Sequence, residues 1–329
     1  MTRQLVRLIK SAAIWFVFVP QLTVLRLVGP RPSILYSRLL AFTNEALTVI
    51  GVDRMTRRSI DSAYESFETT LSRRQILRRY LVSKHQRYIE WYLYPTPRGR
   101  SFVAETYRDV EGVEHLDAAL AEGKGAIVLV FHFGMAKMMW AALKAHGYET
   151  HQHVFRGATY AGTTVDSAAK LAMDVLVKTE NNSGLNLIYH RPFFTMAKLD
   201  RLLKKNAIIG VNGDGMMGDE FVTLPFLDGR MDFPRGLARL AARTGAPIIP
   251  GYAIPTGAFA HRVTLHAPIH CEEDSTEHVD RCVKAYVDLF DSYVRRYPWE
   301  WWTWRRLGTR QTDSGETVFS AKALDLGDR

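Results

Sequence analysis

The chain has 329 residues, 47% of them hydrophobic, enough for a sizeable core in one large α/β domain or two small ones. With 43 basic against 34 acidic side chains it carries a net charge of +9 and a pI near 9.5, a balance that favours nucleic acid, anionic lipid surfaces or phosphorylated carriers as partners. The cysteines Cys271 and Cys282 lack metal-ligand spacing and are too few for a disulfide framework, which points to a reducing compartment, and no stretch reaches the ~20 apolar residues of a membrane-spanning helix.

Residues 1–32 read as an interfacial anchor. An apolar run over 12–25, broken by Pro20 and Gln21, follows Arg3, Arg7 and Lys10 and carries Trp15, Phe16 and Phe18 for the headgroup boundary. A core helix fits the same residues, and so does a signal peptide, although no small-residue cleavage site follows. Residues 33–97 form a helical lead-in. Ile60, Tyr64, Phe67 and Leu71, then Ile76, Leu77, Tyr80 and Leu81, recur at helical spacing. Arg73, Arg74, Arg78, Arg79 and Arg87 make either a solvated face or a basic surface for a membrane or carrier. Pro95-Thr96-Pro97-Arg98-Gly99 marks the boundary with an α/β body over 98–310, and 311–329 is a C-terminal tail.

The body begins with a short helix carrying Val113, Leu116, Ala119 and Leu120. Residues 126–131 are an unbroken apolar run, read as a buried strand that ends at His132-Phe133-Gly134; Met135, Met138, Met139, Ala142 and Leu143 then recur as in a helix. Strands at 150–155, 185–189 and 207–211 alternate with helices at 165–177, 196–203 and 234–244. Strands at 247–254 and 262–265 and a closing helix at 278–293 complete the chain. This alternation predicts an α/β fold with a largely parallel sheet flanked by helices.

His132, Arg156, Arg191 and Asp214 each follow an apolar strand directly, so parallel strands place them on one rim, where open α/β sheets bind ligands. The helix start after Gly134 offers N–H groups to an anion or oxyanion, and Arg156 and Arg191 suit a phosphate or carboxylate. Asp214, Asp219 and Glu220 lie among glycines 210, 213, 215 and 218 but lack the spacing of a calcium loop, so no metal is predicted. Basic residues are spread along the chain without a recognition motif, so nucleic acid is not expected as a partner.

His132-Phe133-Gly134 after an apolar strand resembles the first motif of the lysophospholipid acyltransferase superfamily, most of all its lipid A biosynthesis (lauroyl/myristoyl) branch. That motif is His, four residues, then Asp or Glu; here the acid's position holds Lys137. Phe155-Arg156, Gly213-Asp214-Gly215, Pro225-Phe226-Leu227-Asp228-Gly229, the run from Phe233 to Ala241, Thr244-Gly245-Ala246-Pro247-Ile248-Ile249-Pro250 and the Trp/Arg segment 297–306 are similar to later blocks of the same branch, in the same order.

The resemblance implies a glycerolipid-acyltransferase-like fold with a membrane-associating N-terminal segment, peripheral on the cytoplasmic face of the inner membrane. It implies transfer of a fatty acyl group from a thioester, on acyl carrier protein or coenzyme A, to a hydroxyl or amine of a lipid or specialised-metabolite acceptor, with no cofactor. His132 is then the general base and Gly134, Lys137, Arg156 and Arg191 the substrate-binding set. A cation at Lys137 would lower the His132 pKa and give the ring no acceptor. In some relatives, phosphatidylinositol mannoside acyltransferases among them, the partner comes from the loop that here holds Glu220, preferred, and Asp214, second. The alternatives are a histidine acting unaided, or a non-catalytic relative that binds lipid or carrier.

Overall fold

A computed structural model describes residues 19–49, 54–154, 167–191, 194–214, 218–311 and 317–321. The anchor side chains Trp15, Phe16 and Phe18 lie outside them. The lead-in is helical: α1 (Val19–Val28), α2 (Pro30–Val49), α3 (Arg54–Ser62) and the long α4 (Arg73–Leu93). A capping box starts α4, with the Ser72 hydroxyl accepting from the Gln75 N–H and the Gln75 side chain accepting from the Ser72 N–H. The break at 95–99 is a tight helix-to-helix turn. The Thr96 hydroxyl accepts from the Gly99 N–H at 3.0 Å and caps α5 (Pro97–Thr106), whose first turn carries Pro97. No described helix is long and apolar enough to cross a membrane.

The body runs β1 (Val110–Glu111), α6 (Val113–Ala121), β2 (Ala126–Val130), α7 (Ala136–Ala145), β3 (Thr150–Val154), α8 (Ser167–Asn182), β4 (Asn186–Tyr189), α9 (Phe194–Leu203) and β5 (Ile208–Asn212). A hairpin of β6 (Phe221–Phe226) and β7 (Gly229–Pro234) follows, then α10 (Gly236–Thr244), β8 (Ile248–Pro255), β9 (His261–Leu265), α11 (Thr276–Arg296), β10 (Leu307–Gln311) and β11 (Thr317–Ala321). Seven strands form one sheet in the order β1-β9-β8-β2-β5-β3-β4, parallel throughout except for the β8–β9 hairpin. The largely parallel sheet predicted from the alternation of elements is present.

Strand β2 is buried on both faces, which is why its sequence is an unbroken apolar run rather than an alternating one. Ile127, Leu129 and Phe131 pack with Tyr252, Tyr286 and Phe290 on one side; Ala126, Val128 and Val130 pack with Met138, Met139 and Trp140 of α7 on the other. Helices therefore cover both faces, and the carboxyl ends of β2 and β5 meet at the middle of one rim. Gly210 in β5 lets the Trp140 ring pack close against the strand; a Cβ there would stand 2.4 Å from the ring.

Sequence spacing gives no strand between 212 and 233; the structure fills that stretch with the β6–β7 hairpin, and α10 follows as expected. Val222, Leu224 and Phe226 alternate inward as a half-buried strand should, with Pro225 at an outward position. Proline is tolerated because β6 is the edge of the second sheet, ordered β10-β11-β7-β6. Strand β11, in the stretch read from sequence as a tail, pairs with β7 and with β10.

Replacing Gly210 by Val drives a branched side chain into the Trp140 ring. The expected result is a folded but less stable protein, lower by about 1–3 kcal/mol in a denaturant titration, with Gly210→Ala intermediate.

Candidate active site

His132 sits two residues past the end of β2, and its backbone is held on both sides. Its N–H donates to Asp214 Oδ1 at 2.9 Å, and its carbonyl accepts from the Trp302 N–H at 2.8 Å. The ring Nδ1 lies 2.9 Å from the same Asp214 oxygen, and the other ring nitrogen, Nε2, lies 3.3 Å from the Asn212 side-chain amide. The His132 side chain is 35% exposed whereas that of Asp214 is 0% exposed. The ring thus faces solvent from a fully buried anchor.

Asp214 reaches that position because β5 turns sharply at its end. The Gly213 N–H donates to the Val130 carbonyl at 2.7 Å, closing β5 onto β2 and turning the next side chain inward. A Cβ at Gly213 would meet Leu129 at 2.7 Å, so glycine permits the approach. The second carboxylate oxygen accepts from Trp301 Nε1–H at 3.1 Å and from the Thr303 hydroxyl at 3.3 Å. Burial pushes the Asp214 carboxyl up, but the His132 ring and these hydrogen bonds outweigh it and hold the pKa below the ordinary carboxylate value.

The Trp/Arg segment crosses behind the histidine as a strap. Phe133 bridges Trp301, the Gly134 N–H donates to the Glu300 carbonyl at 3.0 Å, and Trp302 Nε1–H donates to the Gly134 carbonyl at 2.9 Å. Gly134 has φ +54 and packs so closely on Ala253 that a Cβ would stand 2.2 Å from its carbonyl oxygen. The Met135 N–H donates to the same carbonyl at 2.7 Å. The Gly134 and Met135 amides, which the sequence offers to an anion, are thus already engaged in packing.

Trp302 lies edge-on to the His132 ring at 5.6 Å, with the Arg87 guanidinium 4.9 Å over its own face. Arg87 is buried, unlike Arg73, Arg74, Arg78 and Arg79 of the same helix, which are exposed. It donates to the Ser83 hydroxyl at 2.7 Å and stands 3.8 Å from Glu300, which accepts from that hydroxyl at 2.5 Å. Burial raises the Glu300 pKa and lowers that of Arg87.

The remaining predicted site residues lie elsewhere. Lys137, on α7, turns away from the histidine's carboxylate: its Nζ is 3.2 Å from Glu180 Oε1 and 4.9 Å over the Trp91 ring. The ring therefore keeps its acceptor despite the cation at this position. Glu220, preferred from sequence as the histidine's partner, instead accepts from Arg239 Nε at 2.9 Å and Nη2 at 2.7 Å; the carboxylate on the ring is Asp214. Arg191 is exposed on the rim, its backbone N–H donating to the Thr195 hydroxyl at the start of α9. Arg156 lies outside the described residues. Cys271 and Cys282 are buried and unbridged, and burial raises both thiols, which does not suit a nucleophile. Sequence reading did not single out Asn212, Trp301 or Thr303 as parts of the site. Nothing local announces the last two, which lie far along the chain from Asp214.

The sequence matches the model of the bacterial lipid A biosynthesis acyltransferases over residues 72–307. The chain belongs to that family. The matched span opens at the cap of α4 and closes at the first residue of β10, so it holds His132, Asp214 and the whole strap. Among curated relatives, the phosphatidylinositol mannoside acyltransferases of Mycobacterium tuberculosis strains H37Rv and CDC 1551 are 24% identical over 209 residues, a match covering 63% of this chain and 62% of theirs. The match spans less than two thirds of those relatives' length.

The depressed Asp214 pKa sets a sign for acid stability. Its contribution is present above the unfolded carboxylate value of about 4 and is lost as pH falls through the lower folded value. Asp214→Asn is expected to melt below the wild type at neutral pH. The gap between the two melting curves should narrow as acidification proceeds below about pH 4, read by circular dichroism.

Proposed function

We propose that this chain transfers a fatty acyl group from an acyl thioester, carried by acyl carrier protein or coenzyme A, to a hydroxyl or amine of a lipid or specialised-metabolite acceptor. The observation that carries the reading is the contact of His132 Nδ1 with the buried Asp214 carboxylate, on a ring that is itself 35% exposed. An ionised carboxylate accepts and never donates, so it holds the proton on Nδ1 and the lone pair on Nε2. Nε2 takes the acceptor's proton as its oxygen or nitrogen bonds to the thioester carbonyl carbon. The tetrahedral intermediate then collapses, the C–S bond breaks, and the proton passes from Nε2 to the departing sulfur. Asp214 steadies the imidazolium in between, as in an Asp-His pair of a hydrolase.

A membrane surface fits the exposed side of the lead-in. Leu35, Leu39 and Phe42 form one outward stripe of α2, Leu27 of α1 is 71% exposed, and Arg31 and Arg38 lie among them. Apolar side chains beside guanidinium groups suit a lipid surface carrying anionic headgroups. The full chain is expected to co-sediment with anionic vesicles and less with zwitterionic ones, and Leu39→Asp with Phe42→Asp should release it.

The acyl-transfer reading is tested with labelled acyl-carrier protein and acyl-coenzyme A as donors and a lipid extract as acceptor. His132→Ala and Asp214→Asn are each expected to lower transfer by about 10²–10⁴, while Glu220→Gln stays near wild type. Full activity in His132→Ala would end this account.

A further inference from the structure

With Nδ1 committed to Asp214, the reactive lone pair of the neutral ring is on Nε2. The group facing it belongs to the protein itself: Asn212 Nδ2 at 3.3 Å, from the last residue of β5. A lone pair on Nε2 requires the amide to present N–H, so at rest the site of proton uptake is already bonded. Once the ring takes a proton, Nε2–H becomes a donor, and an NH₂ group has nothing with which to accept it. Turning the amide over brings Oδ1 to the same place, and the contact is restored with its direction reversed.

We propose that Asn212 is a positioning residue for the transfer, an uncharged two-way support for Nε2. It donates to the neutral base before the acceptor arrives and, turned over, accepts from the imidazolium afterwards. This rests on His132 being the base. The amide's lack of charge matters, because a carboxylate at 212 would flank the ring with anions on both nitrogens and hold it protonated.

Among the described residues, the groups around the ring leave this balance to residues 212 and 214. Asp214 is on Nδ1, and the Trp302 edge at 5.6 Å is uncharged. Of the charged side chains on neighbouring elements, Arg87 lies over Trp302, Glu300 is bonded to Ser83, and Lys137 is turned to Glu180.

The test reads the His132 ring titration by NMR in the full chain without substrate, beside the pH profile of acyl transfer. Asn212→Asp is expected to raise the ring pKa by about one pH unit or more, and to move the acidic limb of the rate profile upward with it. Asn212→Ser, whose hydroxyl both donates and accepts, should keep most activity. Asn212→Leu, close in size but unable to do either, should lose about tenfold to a hundredfold in kcat with little change in KM. A folded Asn212→Asp with an unmoved titration overturns the proposal, and so do Ser and Leu variants of equal rate, which also serve if Asn212→Asp fails to fold. Because the titration needs no substrate, a wild type that transfers no acyl group, with Asn212→Asp still shifting the ring, would sink the acyl-transfer reading and leave the pairing of Asn212 with the ring standing.

Discussion

One buried carboxylate holds together three parts of the chain that are remote in sequence. Asp214 accepts from the backbone and ring of His132 at the end of β2, and from Trp301 and Thr303 of the C-terminal strap, while it hangs from the end of β5. A carboxylate with no solvent exposure needs that many donors, since an ion left unpaired in the interior is among the costliest groups a fold can contain. The same donors that make its burial tolerable orient the imidazole, so the stability of the rim and the geometry of the site depend on one set of hydrogen bonds. The strap is consequently part of the site's construction.

The position of the histidine's acidic partner is the point on which this chain parts from the usual motif of its family. Lys137 occupies the helix position expected for an acid, and α7 directs it to Glu180 and the Trp91 face rather than to the ring. The carboxylate arrives from the neighbouring strand instead. Adjacent parallel strands bring their carboxyl ends together, so β5 can supply to β2 what α7 does not. Glu220 lies farther along the same connection, but its charge is already met by Arg239, which also reaches Asp274.

Helix α4 backs this arrangement with polar groups spaced to fall on one face. Ser83, Gln86, Arg87 and Glu90 are all buried there. Ser83 and Arg87 meet Glu300 of the strap, while Glu90 accepts from Gln86 at 2.7 Å and from the Tyr107 hydroxyl at 2.6 Å and lies 3.2 Å from His261. Removing one member of such a set leaves another charge or donor buried without its partner. The lead-in is therefore coupled to the rim that carries His132 through buried polar contacts as well as through apolar packing.

The apolar runs of β2, β5 and β8 and the helical spacing between them are enough to determine an α/β sheet buried on both faces. They also put His132, Arg191 and Asp214 at strand ends, because burial on both sides leaves a strand no polar residue until it emerges. The β6–β7 hairpin was not legible, since Pro225 is acceptable only on an edge, and which strand forms an edge is a property of the assembled sheet. The histidine's partner was not legible either. Asp214 and Glu220 are equivalent as carboxylates in one glycine-rich stretch, and only the fold places one beneath the ring and the other against Arg239. Arginines at helical spacing likewise look alike in sequence until packing sends Arg87 inward and leaves Arg78 and Arg79 outside. Periodicity records which face of an element is apolar; which remote groups meet across the interior is decided by how those faces close on one another.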